Sequence, residues 1–321
     1  MSDENQLLLK HILEAPAPAQ TSLFWTASSP DREIFDKLHD SYSACMNEIQ
    51  LQSVGSEPLL QLLLKLDEKY PAKRPTLSKD TSLTEAIQYL MSIGASGPIS
   101  LGVGADDKDP DFNVVSLSPP YSFGLPTKEY YNRTEIVDSY KETIGTVLEA
   151  LLKEAEGSSL SELRSIESVH TASKELIDSI VSLEQRMALS SPDVEDLQDI
   201  TKVYNPRTLS EADSYNQQIS LKALIKAFAS DYTPSKIIVA SPEYLKLLSD
   251  ILVGEKRETI QAYLAWKIVQ SYGAEVESDA VKPLRRFNNK LRGQEPDVKP
   301  ERWKTCLRVV DSDLRKSSIL T

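Results

Sequence analysis

The side chains able to do chemistry are few, and their spacing limits what they can do. Hydrolysis at zinc uses two histidines one helical turn apart, with a glutamate between them to deprotonate a bound water whose pKa the metal lowers to about 7. The chain has three histidines, His11, His39 and His170, and no two stand four residues apart. Asp107, Asp109 and Asp111 begin a calcium-loop pattern. Phe112 then stands where the sharp turn needs glycine, and Ser118 where a bidentate glutamate belongs, so a solvated turn stiffened by Pro110 is the reading. Gly102-Val103-Gly104 lacks the third glycine of a dinucleotide loop, with Asp107 in its place and no helix after it. His170 flanks an apolar helical stripe and reads as a packing residue. No G-x-S-x-G elbow occurs. Composition alone reads Cys45 and Cys306 as two reduced, buried thiols. Asn132-Arg133-Thr134 is a glycosylation sequon just ahead of a predicted helix.

Helices must position most of these residues. From Asp31 to Leu51, Ile34, Leu38, Tyr42, Cys45 and Ile49 recur at helical steps and predict one long helix. Ser82 with Glu85 reads as a capping box for a helix that Gly94 ends. Ser159 with Glu162 is predicted to start the longest helix, running to about Leu189 through Leu163, Ile166, Leu176, Ile180, Leu183 and Met187. Thr208 with Glu211 repeats the box, and Ser241-Pro242 gives an N-cap followed by proline at the first helical position. Strands are expected in a hairpin, Ser100–Val103 with Asn113–Ser118, around an Asp- and Pro-laden loop, and at Lys236–Ala240. The fold class is therefore mainly α, a large multi-helix lobe with one small β-hairpin near residues 99–118.

A chain of 321 residues can bury roughly three quarters of its unfolded surface, enough for one large domain. The 36 Lys and Arg against 48 Asp and Glu give a net charge of −12, which argues against a nucleic-acid surface built on phosphate neutralisation. The densest apolar run, Leu59–Leu66, is broken by Gln61 and Lys65 and is too short to span a membrane. Met1-Ser-Asp-Glu-Asn is unlike the basic start of a secretory signal.

Five segments in order carry a resemblance: Ser43-Ala44-Cys45-Met46-Asn47-Glu48; Asp106-Asp107-Lys108 leading to Gly124-Leu125-Pro126 and Tyr130-Tyr131; Tyr204-Asn205-Pro206-Arg207-Thr208-Leu209; Tyr263-Leu264-Ala265-Trp266-Lys267; and Arg302-Trp303-Lys304-Thr305-Cys306. Together the chain resembles the N-terminal helical portion of the neprilysin and endothelin-converting-enzyme family of zinc metallopeptidases. The resemblance implies that residues 1–321 are a neprilysin-type N-terminal helical domain ending before the zinc-binding domain. It implies no catalytic or metal residues in this chain, with zinc belonging to the complete enzyme. The lobe would then be a lid that controls substrate access during proteolysis of peptides, its partner being the zinc-bearing catalytic lobe, with no nucleic acid and no membrane span. A free-standing helical interaction module is the alternative.

The same resemblance replaces the thiol reading of Cys45 and Cys306 with a disulfide closing a loop of some 260 residues, worth about 5 kcal/mol in the chain-entropy model. It also implies a secreted or extracellular-facing protein, a glycan on Asn132, and packing roles for Trp266 and Trp303. The last seven residues, Arg315 to Thr321, depart from the family pattern.

Overall fold

A computed structural model describes residues 3–16, 30–73, 81–157 and 173–317. Helices dominate, as expected. In chain order they are α1 (Asp3–Glu14), α2 (Pro30–Met46), α3 (Glu48–Val54), α4 (Glu57–Lys69) and α5 (Ser82–Ser92), followed by strands β1 (Ser100–Asp106) and β2 (Asp109–Ser118) and a 3-10 turn, Lys128–Asn132. Then come α6 (Thr134–Gly157), α7 (Lys174–Ser190), α8 (Val194–Gln198), α9 (Ile200–Val203), β3 (Pro206–Arg207), α10 (Leu209–Asp213), α11 (Leu221–Phe228), β4 (Ile237–Val239), α12 (Pro242–Val253), α13 (Arg257–Tyr272), α14 (Lys282–Leu291) and α15 (Arg302–Ser317). The chain divides into two compact units, Met1–Gly55 with Asn289–Thr321, and Ser56–Asn288.

In the first unit α1, α2 and α15 surround a small core of Leu13, Tyr42, Cys306, Leu307 and Val310. The Tyr42 hydroxyl donates to Glu14 Oε1 at 3.1 Å, satisfying the polar end of a ring that is otherwise buried. The single helix expected over Asp31–Leu51 is two helices. Asn47 breaks it, because its Oδ1 accepts the Gln50 N–H at 3.2 Å and so caps α3, a local bond that competes with continuation of α2. The break turns Ile49 out of the predicted stripe, leaving it 84% exposed while Tyr42 is buried.

The second unit is built around α13. Eleven successive residues, Thr259 to Val269, are buried, so this helix has no solvent face and is a core element, packed against α4 and α7. A four-stranded sheet of order β1-β2-β4-β3 lies in the same unit; β2 and β4 are parallel and the other pairs antiparallel. Ile237–Val239 forms β4 and is fully buried, inside the strand expected at Lys236–Ala240.

The hairpin differs from expectation in its loop. Regular pairing runs from Ser100↔Ser118 to Ala105↔Asn113, the register then breaks, and Asp106 pairs with Asp109 across Asp107-Lys108. The expected loop thus contracts to a tight turn, held by the buried Asp106 carboxylate, which accepts the Lys108 N–H at 3.0 Å and pairs with Lys236. These bonds hold the Asp106 carboxyl down at about 2, Lys236 being the larger cause.

Two caps appear as predicted: the Thr208–Glu211 box on α10, and Ser241 with Pro242 on α12. The Ser82–Glu85 box does not form. Thr81 occupies the N-cap and its hydroxyl donates to Glu85 Oε1 at 2.9 Å, while Ser82 Oγ accepts from Arg257. Gly94 ends α5 with φ +77°, a conformation that favours glycine. The Ser159–Glu162 box, with Leu163, Ile166 and His170, lies outside the described residues. The described part of that predicted helix begins at Lys174, where Ser173 Oγ accepts the Leu176 N–H at 3.2 Å.

Candidate functional site

The strongest concentration of polar chemistry lies buried beneath the Gly124-Leu125-Pro126 segment, at the point where α6, α7 and α13 meet it. Glu184 stands on α7 between Ile180 and Met187, on the face that packs inward, and is fully buried. Its Oε1 accepts from the Tyr140 hydroxyl and its Oε2 from the Tyr131 hydroxyl, each at 3.2 Å. The Tyr140 hydroxyl in turn accepts from Trp266 Nε1 at 2.6 Å and Gln270 Nε2 at 3.0 Å. Lys267 Nζ donates to the Phe123 carbonyl at 2.7 Å and to Gln270 Oε1 at 3.1 Å. Gln270 reaches the Gly124 carbonyl at 3.2 Å, and the Leu125 N–H donates to Tyr131 Oη at 3.2 Å. Side chains of α13 and of the 3-10 turn therefore bind the backbone of residues 123–125.

Packing explains the glycine. A Cβ built on Gly124 would lie 2.2 Å from Glu184 Oε2 and 2.4 Å from the Tyr140 hydroxyl, so any side chain would have to displace the buried carboxylate. Tyr140 also stacks on Phe287, with ring centroids 5.4 Å apart, and meets Trp266 edge-on at 6.1 Å. Burial pushes the Glu184 carboxyl up to about 7, against the opposing pull of the Lys267 charge, and the same loss of solvation pushes Lys267 down. The two groups compensate each other. Glu184 and Lys267 are shut off from solvent and each is hydrogen-bonded, so the cluster braces the fold; it presents no nucleophile to a substrate.

Above it opens a cleft of about 700 Å³, lined among others by Pro119, Pro120, Tyr121, Leu125, Pro192 and Leu197. Tyr121 is 98% exposed on the rim. Lys128, at the same cleft, donates to the Ser191 carbonyl at 3.2 Å and pairs with Asp193, tying the 3-10 turn to the start of α8.

The other resemblance-bearing segments serve the scaffold too. Pro206-Arg207 is strand β3, Thr208 caps α10, and Arg207 Nε donates to the Tyr215 hydroxyl at 2.9 Å. Arg302 Nε donates to the Cys45 carbonyl at 2.8 Å, and Cys45 and Cys306 are joined in a disulfide between α2 and α15. Trp303 packs against the same small core, with the Lys10 ammonium 5.1 Å from its ring centroid. Trp266 is completely buried.

The residues first weighed for chemistry do not meet. His11 is exposed at the end of α1, and His39 on α2 stacks beside Phe35 with a ring nitrogen 3.4 Å from Asp40 Oδ1. Asp107, Asp109 and Asp111 are exposed at the hairpin end, and Gly102 and Gly104 lie within β1. Asn132 is exposed at the end of the 3-10 turn. Among the described residues no three His, Cys, Asp or Glu side chains converge as a zinc site would require, so the residues present do not fit the metal. No described helix is long and apolar enough to cross a membrane.

Sequence reasoning passed over Glu184, Tyr140 and Gln270, and read Lys267 only as part of a resemblance-bearing segment, with no role of its own. A signal existed for the first: Glu184 interrupts the apolar stripe of Ile180, Leu183 and Met187, and a carboxylate there needs buried partners. Nothing local identified those partners, which come from 44 to 53 residues upstream in the case of the two tyrosines.

Comparison with known proteins gives consistent results. The model of peptidase family M13 matches residues 1–317. Human neprilysin is 24% identical over 342 aligned residues, covering 99% of this chain and 42% of its own length. An endothelin-converting enzyme homolog from Locusta migratoria is 26% identical, covering 96% of this chain and 40% of itself. Among solved structures, the Mycobacterium tuberculosis zinc metalloprotease Zmp1 in its open state superposes with a TM-score of 0.72 at 20% identity, over 96% of this chain and 43% of that one. PepO from Lactobacillus rhamnosis gives 0.69 at 18% identity, over 97% and 44%. The chain spans about two fifths of the length of the relatives it matches.

Proposed function

Because the chain belongs to peptidase family M13, as its N-terminal portion, we propose that it is the substrate-access lobe of a neprilysin-like zinc metalloendopeptidase. The lobe comprises residues 1–321. It acts in proteolysis by shaping which peptides reach a zinc ion held by a separate catalytic lobe of the same enzyme. The observation that carries this reading is the family match over nearly the whole chain, set beside a sequence without an H-E-x-x-H motif. Bond cleavage is then the work of the partner lobe, whose zinc activates water. This chain contributes walls and no reacting group.

Mixing the chain with a separately expressed zinc lobe tests the assignment. The isolated chain should retain no zinc after chelation and dialysis and should not cleave a fluorogenic peptide, and the mixture should regain hydrolysis. Stoichiometric zinc on the isolated chain, or failure of the two parts to associate, would overturn it.

The protein is further taken to face the extracellular side, with a glycan on Asn132. The exposed side chain at the end of a 3-10 turn, with Thr134 opening α6, supports this. Expression through a secretory pathway should give a mass increment that an endoglycosidase removes and that Asn132→Gln abolishes. An unmodified mass from such expression would count against it.

A further inference from the structure

We propose that the free edge of β1 binds an extended peptide by strand addition, with an apolar side chain beside Val103 and a Lys or Arg at the Asp107–Asp111 end. β1 is terminal in the sheet order, and among the described residues no strand pairs with its outer edge. Open edges are ordinarily guarded by lysine, proline or an inward-pointing charge. The six regularly paired residues, Ser100-Leu101-Gly102-Val103-Gly104-Ala105, contain none of these; the register break and the buried Asp106 carboxylate come after them, at the end of the strand. At Gly104 no atom lies within 4 Å of a would-be Cβ, so the sheet face on that side is uncovered beside the edge.

The apolar surface of the sheet also runs off that edge. Leu101 and Val103 stand opposite Leu117 and Val115, which are buried, yet Val103 is 75% exposed. A strand laid alongside would cover Val103 with its own side chain while its amides bonded to the outer backbone groups of β1, the physics of strand-addition recognition.

Charge selects the occupant. Lys236 is paired with Asp106, and the Lys108 ammonium lies 4.5 Å from the centroid of the Tyr204 ring, so both nearby lysines are engaged. Asp107, Asp109 and Asp111 are exposed and have no basic partner among the described residues. A basic peptide is drawn to that end, whereas a second copy of this chain, at net charge −12, is repelled. That the peptide is a substrate on its way to hydrolysis rests on the access-lobe reading above; that the edge binds a peptide does not.

The test uses the whole chain and a fluorescent heptapeptide, Lys-Thr-Val-Thr-Val-Thr-Lys, followed by anisotropy at low salt. Saturable binding is expected. N-methylation of alternate residues leaves side chains and charge intact but removes the amide donors of one peptide edge. Of the two alternate methylation sets, one should weaken binding at least about tenfold and the other little. Asp107→Asn/Asp109→Asn/Asp111→Asn, all at exposed positions, should weaken binding about tenfold and flatten its salt dependence, with an unchanged circular dichroism spectrum.

Equal binding of both methylated peptides would reduce the effect to charge and overturn the proposal. So would absence of binding, or a dimer whose β1 edges pair with each other. Peptide binding without hydrolysis on mixing with a zinc lobe would sink the access-lobe reading alone. Hydrolysis without peptide binding would sink the edge alone.

Discussion

Lys267→Met is expected to destabilise the folded chain by about 3–5 kcal/mol at neutral pH, because it leaves a buried carboxylate without its cation. Methionine keeps the length of the side chain but removes the donors to the Phe123 carbonyl and Gln270 Oε1, so the 123–125 backbone loses a tether as well. The pH dependence distinguishes this from a packing defect. In the parent chain the Lys267 charge opposes the rise of the Glu184 carboxyl and holds it at about 7; without that cation burial raises it further, so the variant keeps its proton to higher pH. In the variant, folded Glu184 is protonated while the unfolded carboxyl is ionised. Its folded pKa lies above the unfolded value, so the stabilising contribution is present at acid pH and is lost as pH rises through the folded pKa. Denaturant melts should therefore show a larger penalty at pH 8 than at pH 5, and Glu184→Gln in the same background should remove that difference. A penalty below about 1 kcal/mol, or one independent of pH, would mean that the pair is not the brace described.

Breaking the Cys45–Cys306 bridge should cost about 2–5 kcal/mol, concentrated in one unit of the chain. The two cysteines are 261 residues apart, so the crosslink removes a large loop entropy from the unfolded chain. Among the described residues the unit it serves has a core of five buried members, Cys306 among them, supplemented by half-buried neighbours such as Leu38 and Trp303. That core is too small to hold α1, α2 and α15 with much reserve. Hydrogen exchange under reducing conditions, or in Cys45→Ser/Cys306→Ser, should accelerate in α2 and α15, while α13 in the other unit, buried from Thr259 to Val269, keeps its protection. Unchanged exchange in α2 and α15 would show that the bridge is dispensable.

The segments from which family resemblance was read carry almost no chemistry directed at a substrate. Gly124 is small because Glu184 occupies its side-chain space; Asn47 ends a helix; Thr208 caps one; Arg302 bonds the carbonyl beside a bridged cysteine. Each is a local requirement of this particular backbone, which is why the pattern could be read in order along the chain and also why it says little about catalysis. The edge of β1, by contrast, is legible only as a strand from Ser100 to Val103, with nothing in those residues to say what lies on its outer side.

From the residues alone came the mainly helical class, the hairpin near 99–118, the capped starts of α10 and α12, and the absence of any pair of histidines at zinc spacing. These depend on side chains a few positions apart, where periodicity and capping act. Only the tertiary structure decided that the Asp31–Leu51 stripe breaks at Asn47, that Glu184 and Lys267 share one buried cluster with two tyrosines, and that no strand among the described residues pairs with the outer side of β1. Each of those outcomes is settled by what packs against the segment or fails to. Burial sets the cost of an unpaired charge and the availability of a backbone edge, and burial is a property of the assembled chain that no short stretch of sequence contains.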